Sequence, residues 1–138
     1  LSEPPVVLDT NVLVAALVGS DDLHAQCAPY VEALPRPLLV SVLALAEVAY
    51  LLQKHVGPEA ELELVRLIAD GDILPIYDPS NWADIHELAT RYVDQELGMV
   101  DSSLFICAEA VSSTRIATMD GVHRSVVTKR SSYFMIEP

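Results

Sequence analysis

Positive charge is the scarcest thing in this chain: eight Lys and Arg stand against twenty Asp and Glu over 138 residues, a formal net charge of −12. Proteins that hold nucleic acid along a broad surface carry a basic stripe, so extended, sequence-blind binding is disfavoured. Cysteine is nearly absent. Cys27 and Cys107 have no neighbouring Cys or paired His at metal-ligand spacing, so they read as buried free thiols, and nothing asks for a disulfide. Long clean apolar runs are missing too. The longest stretch, residues 37–52, is broken by Ser41 and Glu47 and falls short of the roughly 18 to 20 residues of a membrane span. No low-complexity run or repeat period appears, which argues against disorder and solenoids. The start, Leu1-Ser2-Glu3-Pro4-Pro5, has neither a basic region nor an apolar signal core and no initiator Met. It reads as trimmed or altered, and the chain is expected in the cytoplasm.

What remains is a chain about half apolar, of a length that suits one domain, residues 1–138, with a single core. Residues 6–9 read as a short buried strand running straight into a helix at Thr10-Asn11. Ser20-Asp21-Asp22 opens a second helix that Pro35 and Pro37 stop. Residues 38–41 form a second strand, 43–55 an apolar helix and 59–69 another. In that last helix Leu62, Val65, Leu67, Ile68 and Ala69 are expected inside, with Glu59, Glu61, Glu63 and Arg66 outside. A third strand spans 73–77, followed by helical residues 82–92 and 101–111, a fourth strand at 115–119, turn and short helix at 121–129, and a fifth strand at 133–136. Strands alternating with helices imply a parallel α/β sheet covered on both faces, with ligands bound beyond the strands' carboxyl ends.

Four carboxylates stand where exposed acids normally do not. Asp9 closes Val6-Val7-Leu8, Glu47 interrupts an apolar helix, Asp101 opens one, and Asp120 closes Ile116-Ala117-Thr118-Met119. An ionised carboxylate among apolar residues is costly unless a positive charge answers it, and a divalent metal would do so. Each acid has an ordinary alternative. Asp9 could take backbone N–H groups of the next helix, although Thr10 is better placed as the N-cap. Asp101 could cap its helix, but Phe105 and Ala108 on its face point it toward the packed side. Asp120 before Gly121 could be a turn aspartate. Glu47 is hardest to explain this way, because Leu43 and Leu51 lie one turn either side and no basic residue stands three or four positions away.

The segments Val7-Leu8-Asp9-Thr10-Asn11-Val12-Leu13, Ser41-Val42-Leu43-Ala44-Leu45-Ala46-Glu47-Val48, Gly98-Met99-Val100-Asp101-Ser102-Ser103-Leu104 and Arg115-Ile116-Ala117-Thr118-Met119-Asp120 resemble, in this order, the PIN-domain ribonucleases. Within that family they are similar to the VapC-type toxins of bacterial toxin–antitoxin pairs. The resemblance implies a central five-stranded parallel sheet flanked by helices, with Asp9, Glu47, Asp101 and Asp120 gathered as a Mg²⁺ or Mn²⁺ site. It places Asn11, Thr118 and, less directly, Ser41 beside the metal. It also implies an RNA substrate, a cognate antitoxin and a homodimer. Asp120-Gly121-Val122-His123-Arg124 departs from the family pattern, with Arg124 where Phe is common. His123 is expected as a packing or surface residue, not a base.

Phosphodiester hydrolysis needs a deprotonated nucleophile and relief of charge on the phosphoryl and leaving oxygens, which one or two divalent cations supply. Mg²⁺ prefers oxygen ligands and keeps several waters, so carboxylates suit it. RNA phosphates would meet Arg124, Lys129 and Arg130, with Arg91 and Arg115 further candidates, although each also reads as ordinary surface charge. A receiver-like phosphoacceptor domain competes, with Asp78 as phosphoacceptor, but Asp9 has no acidic neighbour. A haloacid-dehalogenase-type phosphatase would want an acid where Asn11 stands, and a catalytically inactive partner-binding PIN domain is a further alternative.

Overall fold

Val6, Val7 and Leu8 are all buried because β1 (Val6–Leu8) is the middle strand of a five-stranded parallel sheet. The computed structural model describes residues 3–77, 81–128 and 134–138, and the side chains of all of these but Val122 and Arg124. After β1 come α1 (Thr10–Leu17), α2 (His24–Ala33), β2 (Leu38–Ser41), α3 (Val42–His55), α4 (Pro58–Ala69) and β3 (Ile73–Ile76). Then follow α5 (Trp82–Arg91), a 3₁₀ turn (Val93–Gln95), α6 (Met99–Ala110), β4 (Arg115–Ala117), a second 3₁₀ turn (Gly121–Ser125) and β5 (Met135–Glu137). The strand order is β3-β2-β1-β4-β5, every pair parallel. Pro75 lies in β3, an edge strand, where its missing N–H breaks no ladder.

The expected single core is two apolar layers on opposite faces of this sheet, because successive strand residues point opposite ways. Val6 and Leu8 of β1, Val40 of β2 and Ala117 of β4 face Val12, Leu13, Val48, Leu52 and Leu64 from α1, α3 and α4. Val7 and Ile116 face Leu88, Leu104 and Phe105 from α5 and α6. The chain moves outward from β1 to β2 and β3 on one side, then returns to β4 and β5 on the other. Strand order therefore reverses between β1 and β4, which puts their carboxyl ends at the switch point. Among the described residues, no helix is long and apolar enough to cross a membrane.

Two elements depart from the sequence reading. The second helix begins at His24, not at Ser20-Asp21-Asp22, because the Asp21 side chain accepts the Leu23 N–H at 2.9 Å and shapes the preceding loop. In α4 the apolar residues split between faces. Leu64 is buried and packs with Ala60, Leu67 and Ile68, whereas Leu62 and Val65 are 67% and 54% exposed and Ala69 faces solvent. Helical periodicity allows either phase here, and contact with Leu52 and Ile73 selects the Leu64 face. Predicted strand residue Tyr133 lies outside the described residues, as does Asp78.

At the sheet's second edge Arg115 donates to Glu137 through Nε at 3.1 Å and Nη2 at 2.9 Å, and the Tyr30 hydroxyl donates to the same carboxylate at 2.5 Å. Burial pushes Glu137 up, but the hydrogen bonds from Arg115 and Tyr30 outweigh it and hold the carboxyl below its ordinary range. A carboxyl held low stabilises the fold fully above its unfolded value of 4.5, and that contribution is lost as pH falls through its lower folded value. Glu137→Gln should therefore lose about 1 kcal/mol at neutral pH, and the gap in thermal melts should close as the pH is taken below 4.5. For α4, Leu64→Ala should cost about 2–4 kcal/mol by denaturant unfolding and Leu62→Ala less than about 0.5.

Candidate metal centre

Asp9 is 4% exposed, an unusual burial for a carboxylate. Its backbone N–H donates to the Ala117 carbonyl at 2.8 Å, fixing it beside β4. Asp9, not the expected Thr10, is the N-cap of α1: its Oδ1 accepts the Thr10 N–H at 2.8 Å. Capping does not exhaust the carboxylate, because Oδ2 accepts the Thr118 hydroxyl at 2.8 Å and faces a cleft. Thr118 Oγ1 also accepts the Asp120 N–H at 3.1 Å and the Asn11 amide at 3.4 Å, while Asn11 Oδ1 accepts the Met119 N–H at 3.1 Å. Asn11 and Thr118 thus lock the β4 end, which carries Asp120, to the β1 end, which carries Asp9.

Asp101 sits in the first turn of α6, with Gly98 rather than Asp101 as the cap. The positive end of the helix favours its charge there. Phe105 and Ala108 on its side of the helix are fully buried, as their spacing implies. Glu47 overturns its expectation, being exposed on the wet side of α3 with Leu43 and Leu51 only half-buried. That side of α3 is one wall of an open cleft of about 370 Å³. Asp9, Glu47, Asp101 and Asp120 all line this cleft, together with Asn11, Asp21 and His55. Asp21 and His55 were missed, since neither interrupts an apolar run. Ser41 does not line it: its hydroxyl caps α3 at the Leu43 N–H and hydrogen-bonds Ser103 at 2.9 Å.

His123 is 1% exposed, so it is not a surface residue. The 3₁₀ turn, closed by the His123 N–H to the Asp120 carbonyl, folds the ring under the acids. It stacks on Phe105 with centroids 5.3 Å apart, which bears out packing, but its edge faces charge. Nε2 lies 3.7 Å from Asp9 Oδ2 and 3.6 Å from Asp101 Oδ1, and Nδ1 lies 3.6 Å from Asp120 Oδ2. These are too long for hydrogen bonds, and among the described residues neither ring nitrogen has such a partner. A single His five residues past Thr118 carried no signal in sequence beyond its place after Asp120.

Burial pushes the Asp9 carboxyl above its ordinary range; the Thr118 hydrogen bond and His123 oppose this, and Asp101 adds to it. Burial alone would lower His123, but the facing carboxylates of Asp101, Asp9 and Asp120 raise it overall. Among the described residues, Asp9, Asp101 and His123 each offer a ligand atom within 4.8 Å of the others. The residues fit a divalent cation: a desolvated carboxylate, a second carboxylate opposite it, and buried polar atoms of His123 and Thr10 without hydrogen-bond partners. Glu47 and Asp120 fall outside that tight set and line the same cleft.

Of the cations proposed for RNA, Lys129 and Arg130 lie outside the described residues, and Arg124 is described by its backbone alone. Arg91 pairs with Glu87 and donates to the Val127 carbonyl. Arg115 is withdrawn from the site: it stands at the opposite end of the strands, tied to Glu137 and Glu3.

Fold and site together define a parallel α/β protein with an acid-walled cleft at its switch point. The chain belongs to the PIN domain family, whose model matches residues 6–128. It is 29% identical over 127 residues to Ribonuclease VapC26 of Mycobacterium tuberculosis, covering 88% of this chain and 91% of that one. Among solved structures it is similar to VapC20 of the same organism, a sarcin–ricin-loop-cleaving toxin, with a TM-score of 0.76, 18% identity, and 84% and 90% of the two chains covered. It is also similar to VapBC2 from Rickettsia felis bound to promoter DNA, with a TM-score of 0.62, 20% identity and 96% of each chain covered. FitAcB from Neisseria gonorrhoeae covers the same share at a TM-score of 0.59 and 18% identity.

Mg²⁺ or Mn²⁺ should raise the melting temperature of the wild-type chain by relieving Asp9, and Asp9→Asn should lose most of that rise in differential scanning fluorimetry. An equal rise in the mutant would contradict the assignment.

Proposed function

We propose that this chain, taken as one PIN domain over residues 1–138, is a metal-dependent endoribonuclease toxin of the VapC type. The observation that carries the reading is a buried Asp9 carboxylate facing Asp101 across one cleft in a PIN-family chain. Asp9 and Asp101 would hold Mg²⁺ or Mn²⁺, with Glu47 holding it directly or through water and Asp120 completing the site or helping a second ion. When bound, the cation would lower the pKa of water and offset charge on the phosphoryl oxygens. The chain's own contribution is positional. Asn11 and Thr118 hold Asp9 and Asp120 in register across β1 and β4, and the fixed carboxylates orient the water and exclude a misplaced phosphate.

A net charge of −12 suits a small footprint on a folded RNA better than a long groove. Arg124, next to His123 on the 3₁₀ turn, is the phosphate contact we favour, with Lys129 and Arg130 beyond it. We further propose a cognate antitoxin that covers the cleft, a homodimer and a cytoplasmic location. The apolar side of α3 is not free for a partner, since Ala44, Leu45, Val48 and Leu52 are buried in the chain's own core. Val56, Leu62 and Val65 around α4 leave apolar surface for a partner instead.

The rival readings are not favoured. A receiver would have strand order 2-1-3-4-5, whereas this sheet runs β3-β2-β1-β4-β5. Asn11, where a dehalogenase-type phosphatase needs an acid, is spent on Thr118 and Met119. An inactive PIN domain would have lost an acid, and all four line the cleft. A panel of labelled structured RNAs should be cleaved with Mn²⁺ or Mg²⁺ present, and Asp101→Asn should cut at least about a hundredfold more slowly. Equal cleavage by both proteins would reject the reading.

A further inference from the structure

We propose that His123 is a nitrogen ligand of the cation held between Asp9 and Asp101, and that the centre therefore prefers Mn²⁺ and similar transition-metal ions to Mg²⁺. The inference rests on the metal-centre reading above and adds a donor that an all-carboxylate site lacks.

Three observations converge on it. The ring is 1% exposed and stacked on Phe105, so it cannot turn outward, yet among the described residues neither ring nitrogen has a hydrogen-bond partner. Its Nε2 lies 3.7 Å from Asp9 Oδ2 and 3.6 Å from Asp101 Oδ1. Ligands that share one ion through bonds of about 2.1 Å, meeting at about 90° to 120°, stand about 3.0 to 3.6 Å apart. The other nitrogen, Nδ1, faces Asp120 Oδ2 at 3.6 Å. Metal-bound imidazoles almost always turn their second N–H to a carboxylate or carbonyl, which fixes the tautomer. Asp120 then acts as a positioning residue through the ring, consistent with its place outside the tight set of Asp9, Asp101 and His123.

The donor set has a chemical consequence. Mg²⁺ takes oxygen ligands and parts with water reluctantly, whereas an imidazole nitrogen is well suited to transition-metal ions. Replacing that nitrogen should therefore weaken Mn²⁺ more than Mg²⁺.

Pulsed electron paramagnetic resonance of Mn²⁺ bound to the full chain detects a directly coordinated nitrogen. Because His55 lines the same cleft, the decisive comparison includes both histidines. Nitrogen coupling should appear in wild type and His55→Gln and vanish in His123→Gln. Titration should show His123→Gln binding Mn²⁺ about tenfold or more weakly, with Mg²⁺ affinity changed less. Should His123→Gln fail to fold, the wild-type and His55→Gln spectra still decide the matter. Mn²⁺ binding that Asp9→Asn abolishes but that carries no nitrogen coupling, or coupling lost only in His55→Gln, overturns the His123 assignment and leaves the metal centre standing. Failure of wild type to bind either ion overturns both.

Discussion

The structure turns on one costly placement, the Asp9 carboxylate buried where β1 becomes α1. A lone carboxylate there would be neutralised or would destabilise the fold. Three things answer it: the Thr10 N–H at the helix start, the Thr118 hydroxyl from β4, and the imidazole of His123. None supplies as much charge as a divalent ion, and the last has no hydrogen bond among the described residues. The fold thus concentrates negative charge where a cation is the natural complement.

The sheet makes that concentration from distant parts of the chain. Parallel order places the β1 and β4 carboxyl ends side by side, so Asp9 and Thr118 meet although 109 positions separate them. α6 runs across the same face with Asp101 in its first turn, and α3 starts from the adjacent β2 with Glu47 along its cleft side. The Ser41–Ser103 hydrogen bond joins those two helices just behind the acids. Ser41 ties the start of α3 to α6 and does not line the cleft.

Strands were legible in sequence because a short apolar run ended by polar or turn residues fits a buried strand and is too brief for a helix, and β2 fell where the pattern put it. Helix phase was less legible. The α4 residues 62, 64, 65, 67 and 68 offer two apolar faces, and only the partners across the core decide between them. The acids were found for partly different reasons than those that hold: Asp9 caps and also points inward, whereas Glu47 is exposed and owes its place to a cleft that local pattern cannot reveal. His123 was expected to pack or lie at the surface, and it packs on Phe105, but the acids its edge faces come from tertiary neighbours that the sequence does not show. Phe105, Asp9 and Asp101 are remote in sequence, and together they set its buried ring beside the acids.

The most direct test of this account is a crystal structure of the chain grown with Mn²⁺ and measured at the manganese absorption edge. An anomalous peak is expected between the carboxylates of Asp9 and Asp101 and beside the His123 ring. A peak elsewhere, or Asp9 left without an ion at saturating Mn²⁺, would contradict it.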